Sequence, residues 1–235
     1  MQVAYAVSRE SPGERLPSPT GFGSVPLNNS EVKFLLTRGY SLEQVERGSH
    51  LALPLDSDLS ARHLEEAAKR AGPDYSVHCW IDRTPERWLN DMAVLHTRMS
   101  TDAPSAGLEE PEDVWTVQRV TDEETAFAAG PRTMLTAAAV HGPSDRLVGF
   151  TQLSVPAELE RPVSQDDTLV LREHRGRKLG MLLKIANLEH LAREHPGHPA
   201  VTTFNSEENR HMLDVNEAVG FVPMGYEGAW KRVAG

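Results

Sequence analysis

The sequence has one cysteine, Cys79, among 235 residues, so no disulfide can form within the chain, and a reducing compartment, the cytoplasm, is expected. It has no apolar run near the ~20 residues that a membrane-spanning helix needs, and its start, MQVAYAVSRESPGERLPSP, lacks the basic opening and apolar core of a secretion signal. No membrane partner is expected. Positive charge is also short: 24 Lys and Arg face 34 Asp and Glu, leaving a formal net charge of -10. A general nucleic-acid binder carries a basic face, so no nucleic-acid partner is expected either. The 10 histidines show no H-E-x-x-H or comparable ligand spacing, which predicts no metal. Trp80, Trp88, Trp115 and Trp230 have no basic groove beside them and read as core or pocket walls rather than as platforms for bases.

What the chain does have is length for a full domain with a hydrophobic core and an added piece. From residue 75 the pattern alternates between strands and helices. YSVHCWI alternates as a strand does, and TPERWLNDMAVLHTRMS follows with Thr84 as helix cap and Pro85 at the first helical position. Thr121 and Glu124 have capping-box spacing for a second helix, and a start near Val114 is the alternative. TMLTAAAV and RLVGFTQLSV, joined by HGPSD, read as a hairpin. The acidic SQDD leads into a buried strand, TLVLRE, and PAVTTFN is the strand that follows the next helix. These two strands flank one helix as a βαβ unit and should therefore be parallel. SEENRHMLDVNEAVG reads as a helix closed by Gly220, and FVPMGYEGAWKRV as a final extended pair. Upstream, Ser, Pro and Gly crowd Ser8 to Pro26, and SDLSARHLEEAAKRAG reads as a short helix capped by Ser57 or Asp58.

In this acidic chain, basic residues gather in LREHRGRKLGMLLKIANLEHL: Arg172, Arg175, Arg177, Lys178 and Lys184, with Gly176 and Gly180. A glycine-bearing turn from a strand into a helix exposes backbone N–H groups at the positive end of the helix dipole, which suits a phosphate or pyrophosphate. The bland alternative is a solvated helix start. A dinucleotide, a nucleoside triphosphate and coenzyme A all carry the right anion. Neither G-x-G-x-x-G nor G-x-x-x-x-G-K-[ST] is present, however.

Arg175, Gly176, Arg177, Lys178, Leu179 and Gly180 resemble the pyrophosphate-binding motif [QR]-x-x-G-x-[GA] of the GNAT superfamily of N-acetyltransferases, with Lys178 where the first motif glycine usually stands. The resemblance extends from Tyr75 to Val233. It implies an α/β (α+β) fold with a mixed central sheet splayed between two parallel strands and helices on both faces. It also implies acetyl-CoA as cosubstrate, near Val170 and Phe204. By the same resemblance, the backbone of Leu169, Val170 and Leu171 would pair with the pantetheine arm. Arg175, Gly176, Arg177, Lys178, Leu179 and Gly180 would hold the pyrophosphate, Lys178 through its N–H in a helical conformation. Asn205 and Asn209 would face the arm, or simply cap the following helix.

Direct acetyl transfer needs a base for the amine, a polarised carbonyl and an acid for the leaving thiolate. Asp166, Asp167 and Glu173 are the candidate bases, and each reads equally as a solvated turn or charge-balancing residue. The usual acid of the superfamily, a tyrosine, is replaced at the corresponding position by Asn216; Tyr226 is the candidate substitute, with a structural role as the alternative. The expected activity is therefore direct N-acetylation of a small-molecule amine. The rival readings are a non-catalytic acyl-CoA-binding or sensor domain, which Asn216 favours, and an interaction module.

Residues 28–55 repeat the end of the chain. Gly39 set on Gly220, an offset of 181, places Tyr40 on Phe221 and Asn28 on Asn209. The resemblance is thus to a tandem GNAT protein: residues 1–55 as the closing part of an upstream unit, 56–74 as a linker helix and 75–235 as a complete unit. The upstream remnant is expected to pack on that unit or to join a second copy of the chain, because SHLALPL would otherwise leave an open apolar edge.

Overall fold

The computed structural model describes residues 2–102 and 111–233. Its elements are β1 (Gln2–Ser8), a small hairpin of β2 (Arg15–Pro17) and β3 (Ser24–Pro26), α1 (Ser30–Thr37), β4 (Ser41–Ala52), α2 (Ser57–Ala71), β5 (Tyr75–Ile81), α3 (Leu89–Asp102) and α4 (Val117–Ala128). There follow β6 (Arg132–His141), β7 (Arg146–Pro156), β8 (Val163–Val170), α5 (Leu179–Glu194), β9 (Ala200–Ser206), α6 (Arg210–Val219) and β10 (Val222–Arg232). The main sheet has 8 strands in the order β1-β10-β4-β9-β8-β7-β6-β5. It is the mixed sheet expected from the sequence, with β8 and β9 as its parallel pair. Those two strands are in register only at Val163 with Val201 and Ser164 with Thr202, and beyond that point they part.

Alternation along the central strands divides the core between the two faces of the sheet. On β6, Leu135, Ala137 and Ala139 meet α2 and the leucines of α5. Ala138 and Val140 face Trp88, Met92 and Leu95 around α3, and Val120 of α4. Gly149 marks where β7 and β8 come closest: a Cβ there would lie 2.7 Å from the Leu169 carbonyl oxygen, so only glycine admits this approach.

β4 belongs to residues 1–55, yet it lies inside the sheet, paired with β9 on one side and β10 on the other. The register explains the repeat. Glu46 is paired with Glu227, and an offset of 181 also maps Glu46 onto Glu227. The two copies are therefore related by an approximate two-fold axis through this pair. β1 covers the outer edge of β10 as β9 covers that of β4. Around the axis, Val25, Val32, Leu35, Leu42 and Val45 enclose Trp230, which is fully buried. Arg47 fastens the other side of β4: its Nε and Nη2 donate to Glu207 at 2.6 and 3.0 Å, and its Nη1 to Glu217 at 2.7 Å.

Several local expectations are corrected. Asp56, rather than Ser57 or Asp58, caps α2, accepting from the N–H groups of Asp58 and Leu59. Thr84 caps nothing; its N–H and Oγ1 donate to Glu124, which joins the start of α3 to α4 and takes Glu124 out of a capping box. α4 begins earlier, with Thr116 as its cap, accepting from Arg119 N–H at 3.2 Å. The final extended pair is one strand, β10. The cap position of α1 is held by Asn29, not Asn28, and its side chain bonds to the Arg9 carbonyl instead of the helix.

Trp230 is the part of β10 that the core of residues 1–55 encloses. Trp230→Ala is expected to lower stability by about 3–5 kcal/mol, read from the urea midpoint, and to speed proteolysis within residues 1–55. A variant with an unchanged midpoint would show that this core is not built on β10.

Candidate functional site

After Leu171 the chain makes one tight helical turn, Arg172–His174, and then passes Gly176 (φ +78°) and Lys178 into α5. Lys178 is left-handed, at φ 56° and ψ 20°, so the helical conformation expected for it is corrected. The left-handed residue ahead of a helix turns the first amides of α5 to the same side, an anion-binding arrangement of backbone N–H groups. The first helical bond is Leu182 N–H to the Lys178 carbonyl, so the amides of Leu179, Gly180 and Met181 precede the helix's own pairing.

The basic side chains around this turn are held by the protein's own carboxylates. Arg175 donates through Nε to the Val170 carbonyl at 2.8 Å and through Nη2 to Asp102, whose side chain is 7% exposed. Arg172 reaches the other Asp102 oxygen at 3.3 Å. Lys178 pairs with Glu66 of α2 at 2.6 Å, and Arg177 lies over the Tyr75 ring. A cleft of ≈ 500 Å³ opens beside the turn, between β8 and α6. Leu169, Val170, Arg175, Gly176, Lys178, Leu179, Gly180 and Asn209 line it, as do Asp102 and Met181. Leu171 lies just beyond, its N–H donated to the Val148 carbonyl.

The cleft continues into a smaller cavity of ≈ 200 Å³; Met99, Thr168, Asn209 and Met212 line both. This inner cavity is walled by Asp166 and Asp167 of β8, Asn205 of β9, Gln44 and Glu46 of β4, and Lys184 of α5. Asp166 and Asp167 lie within β8, not in a turn leading to it. Asp166 is an exposed residue, yet the protein packed around its carboxyl, then the neighbouring Asp167 charge, raises it to about 6. Burial also raises Asp167 and Glu46, the latter further through Glu227. Asn205 accepts from Asn216 Nδ2 at 2.7 Å, and the other end of Asn216, its Oδ1, is buried without a partner. Asn209 caps α6 through Met212 N–H at 3.3 Å while lining both spaces.

Two candidates lie elsewhere. Glu173 is exposed in the tight turn after Leu171. Tyr226 sits in β10 opposite Ser8 and Arg47 and packs on the Trp230 core. Lys184 is not part of the basic turn: it is 1% exposed in the middle of α5. The sequence held a signal for this, since Lys184 stands four residues after Gly180 and four before Leu188, on the stripe that faces the sheet. Gln44 and Glu46 carried no such signal, because only the insertion of β4 brings them to the cavity.

Neither a protein-family model nor a curated protein matches the chain. Solved structures do. A tandem GNAT protein from the clavulanic acid biosynthesis pathway matches with a TM-score of 0.68 at 24% identity, over 97% of this chain and 62% of its own. A GCN5-related N-acetyltransferase from Sphaerobacter thermophilus matches with a TM-score of 0.53 at 14% identity, over 86% of this chain and 56% of its own. A functionally unknown conserved protein from Staphylococcus epidermidis gives the same TM-score of 0.53 at 11% identity, over 92% of this chain and 69% of its own. The chain thus spans less than two thirds of the tandem protein and of the Sphaerobacter protein. With one parallel pair among the described residues, parting beside a glycine-bearing turn, the mixed sheet is the GNAT fold, in an arrangement similar to that of a tandem GNAT protein.

Proposed function

We propose that the protein is an acetyl-CoA-dependent N-acetyltransferase that passes an acetyl group directly to a small-molecule amine. The observation that carries this reading is the adjacency of the cleft beside the α5 amides and the carboxylate-walled inner cavity, which share Met99, Thr168, Asn209 and Met212 as lining. The pyrophosphate would lie on the amides of Leu179, Gly180 and Met181. The pantetheine arm would follow β8 past Val170 and Leu169, where β9 has moved away and no strand competes for its edge. The thioester would then arrive near Thr168, at the entrance to the inner cavity. An amine drawn in by Asp166, Asp167 and Glu46 meets it there.

Asp166 is the base in this reading. At about 6, its carboxyl is ionised at neutral pH yet basic enough to take a proton, a better match to that task than an ordinary aspartate. The proposed enzyme is cytoplasmic. No helix among the described residues is long and apolar enough to cross a membrane, and a cytoplasmic enzyme is consistent with the single thiol.

Acetyl-CoA should raise the melting temperature, and CoA release should be detected with at least one member of a panel of primary amines. Arg175→Glu sets a second carboxylate beside Asp102 and frees the Val170 carbonyl. It should weaken acetyl-CoA binding by at least about 100-fold in calorimetry, because the turn that presents the α5 amides loses its ties to Asp102 and Val170 and gains a charge that repels the pyrophosphate; unchanged affinity would overturn the reading.

The rate constant kcat/KM should rise with pH through about 6 as Asp166 ionises, and Asp166→Asn should lose that limb along with about 100-fold or more in rate. The stability effect has the opposite sense. A folded pKa above the unfolded value of 3.8 means that folding favours the protonated form, so stability falls as pH rises towards 6. Asp166→Asn should therefore melt higher than the parent at pH 8 and gain less at pH 4.

A further inference from the structure

Lys184 is the charged residue that α5 carries into the interior, and nothing in the fold compensates it. It is 1% exposed. Among the described residues its Nζ makes no hydrogen bond or ion pair, and the ring of Phe221, 5.9 Å away, is too distant to replace a full hydration shell. An ammonium group taken out of water without a partner is costly, and a leucine or methionine would fill the same space on this stripe. Burial accordingly pulls the Lys184 amine down to about 7.

Its position gives that cost a use. Lys184 of α5 lines the inner cavity together with Asp166, Asp167 and Thr168 of β8 and Asn205 of β9, the two strands that part beyond Ser164 and Thr202. The residues shared with the cleft, Thr168 among them, mark where an arm running along β8 enters. Asn205, on the β9 side of the cavity, accepts from Asn216, which is 1% exposed, does not line the cavity and leaves its Oδ1 unpaired. A carboxamide cannot protonate a thiolate at useful rates, so neither asparagine supplies an acid. The other ionisable groups facing the cavity are Glu46 from β4 and Asp166 and Asp167 from β8. Carboxylates suit the amine, whereas the lysine is the cation available for a developing negative charge.

We propose that Lys184 is the general acid of the transfer, giving its proton to the sulfur of the departing CoA. This rests on the acyl-CoA reading above. The acceptor nitrogen attacks the thioester carbonyl and forms the C–N bond while losing a proton to Asp166. The C–S bond then breaks with its electron pair left on sulfur, and the Lys184 ammonium protonates it. The proton held by Asp166 restores the ammonium, so amide and CoA thiol leave with no net change in the enzyme. An amine that titrates near neutrality exchanges its proton readily with a thiol, whose ordinary pKa is about 8.5.

The test needs no acceptor. The thiol of CoA bound to the full chain is titrated by the ultraviolet absorption of its thiolate, in the parent protein and in Lys184→Met, with free CoA as reference. If Lys184 faces the sulfur, the bound thiol should titrate at least about one pH unit lower in the parent than in the variant, a tenfold difference in thiolate fraction. Equal titration curves in two proteins that both bind CoA would overturn the proposal. Failure of the parent itself to bind CoA would instead overturn the acyl-CoA reading. A second measurement stays within the parent protein: the pH dependence of Lys184 acylation by an anhydride, followed by mass spectrometry. CoA should shift that profile and desulfo-CoA, which lacks the sulfur, should not; equal shifts would also overturn the proposal.

Discussion

The insertion of β4 between β9 and β10 is the contact on which the rest of the molecule depends. β9 is tied to β8 over only two residues, so its position must be fixed from its other side. β4 does this through seven paired positions, from Glu46 with Ser206 to Ala52 with Ala200. Arg47 strengthens the join with a bidentate contact to Glu207, at side-chain exposures of 13% and 9%. A strand held this firmly along one edge can leave the other edge open. Beside that open edge lie the cleft at the start of α5 and the inner cavity that Lys184 lines.

The charges of the site follow from the same arrangement. The arginines and the lysine of the basic turn are largely neutralised by Asp102 and Glu66, so an anion there would be recognised chiefly by oriented amides rather than by free side chains. Deeper in, the balance reverses. Asp166, Asp167 and Glu46 have no ion-pair partner among the described residues, and burial holds each above the ordinary carboxylate range. Groups left in this condition gain when a cation arrives, and the same cavity is lined by Lys184, an amine that burial also disfavours in its charged form.

The approximate two-fold relation between β4 and β10 also places a cost at its centre. Because the axis passes through Glu46 and Glu227, the symmetry that lets two similar strands pair also sets two like side chains opposite each other. Burial and mutual repulsion raise the Glu46 carboxyl, and this residue is also the one that lines the cavity. The repeat is thus more than a trace of duplication in the chain, since it supplies part of the wall of the site.

Much of this was legible in the sequence. Hydrophobic periodicity and turn chemistry are local, so the β8–α5–β9 unit, the glycine turn, the helix closed by Gly220 and the repeated segment could all be read from it. The resemblance at Arg175 to Gly180 likewise pointed to the fold, because the backbone shape of that turn is set by neighbours in the chain. Tertiary structure decided the rest. Thr84 and Glu124 were taken by each other across 40 positions of sequence, and α4 is capped by Thr116; α2 is capped by Asp56, one residue before the expected pair. Tyr226 was carried into a separate core, and Lys184 was turned from a basic-turn residue into the floor of the cavity. Strand order, unlike periodicity, is fixed by contacts between distant segments. Only the pairing of β4 with β9 could bring Gln44 and Glu46 to a cavity whose β8, α5 and β9 residues lie more than a hundred positions away.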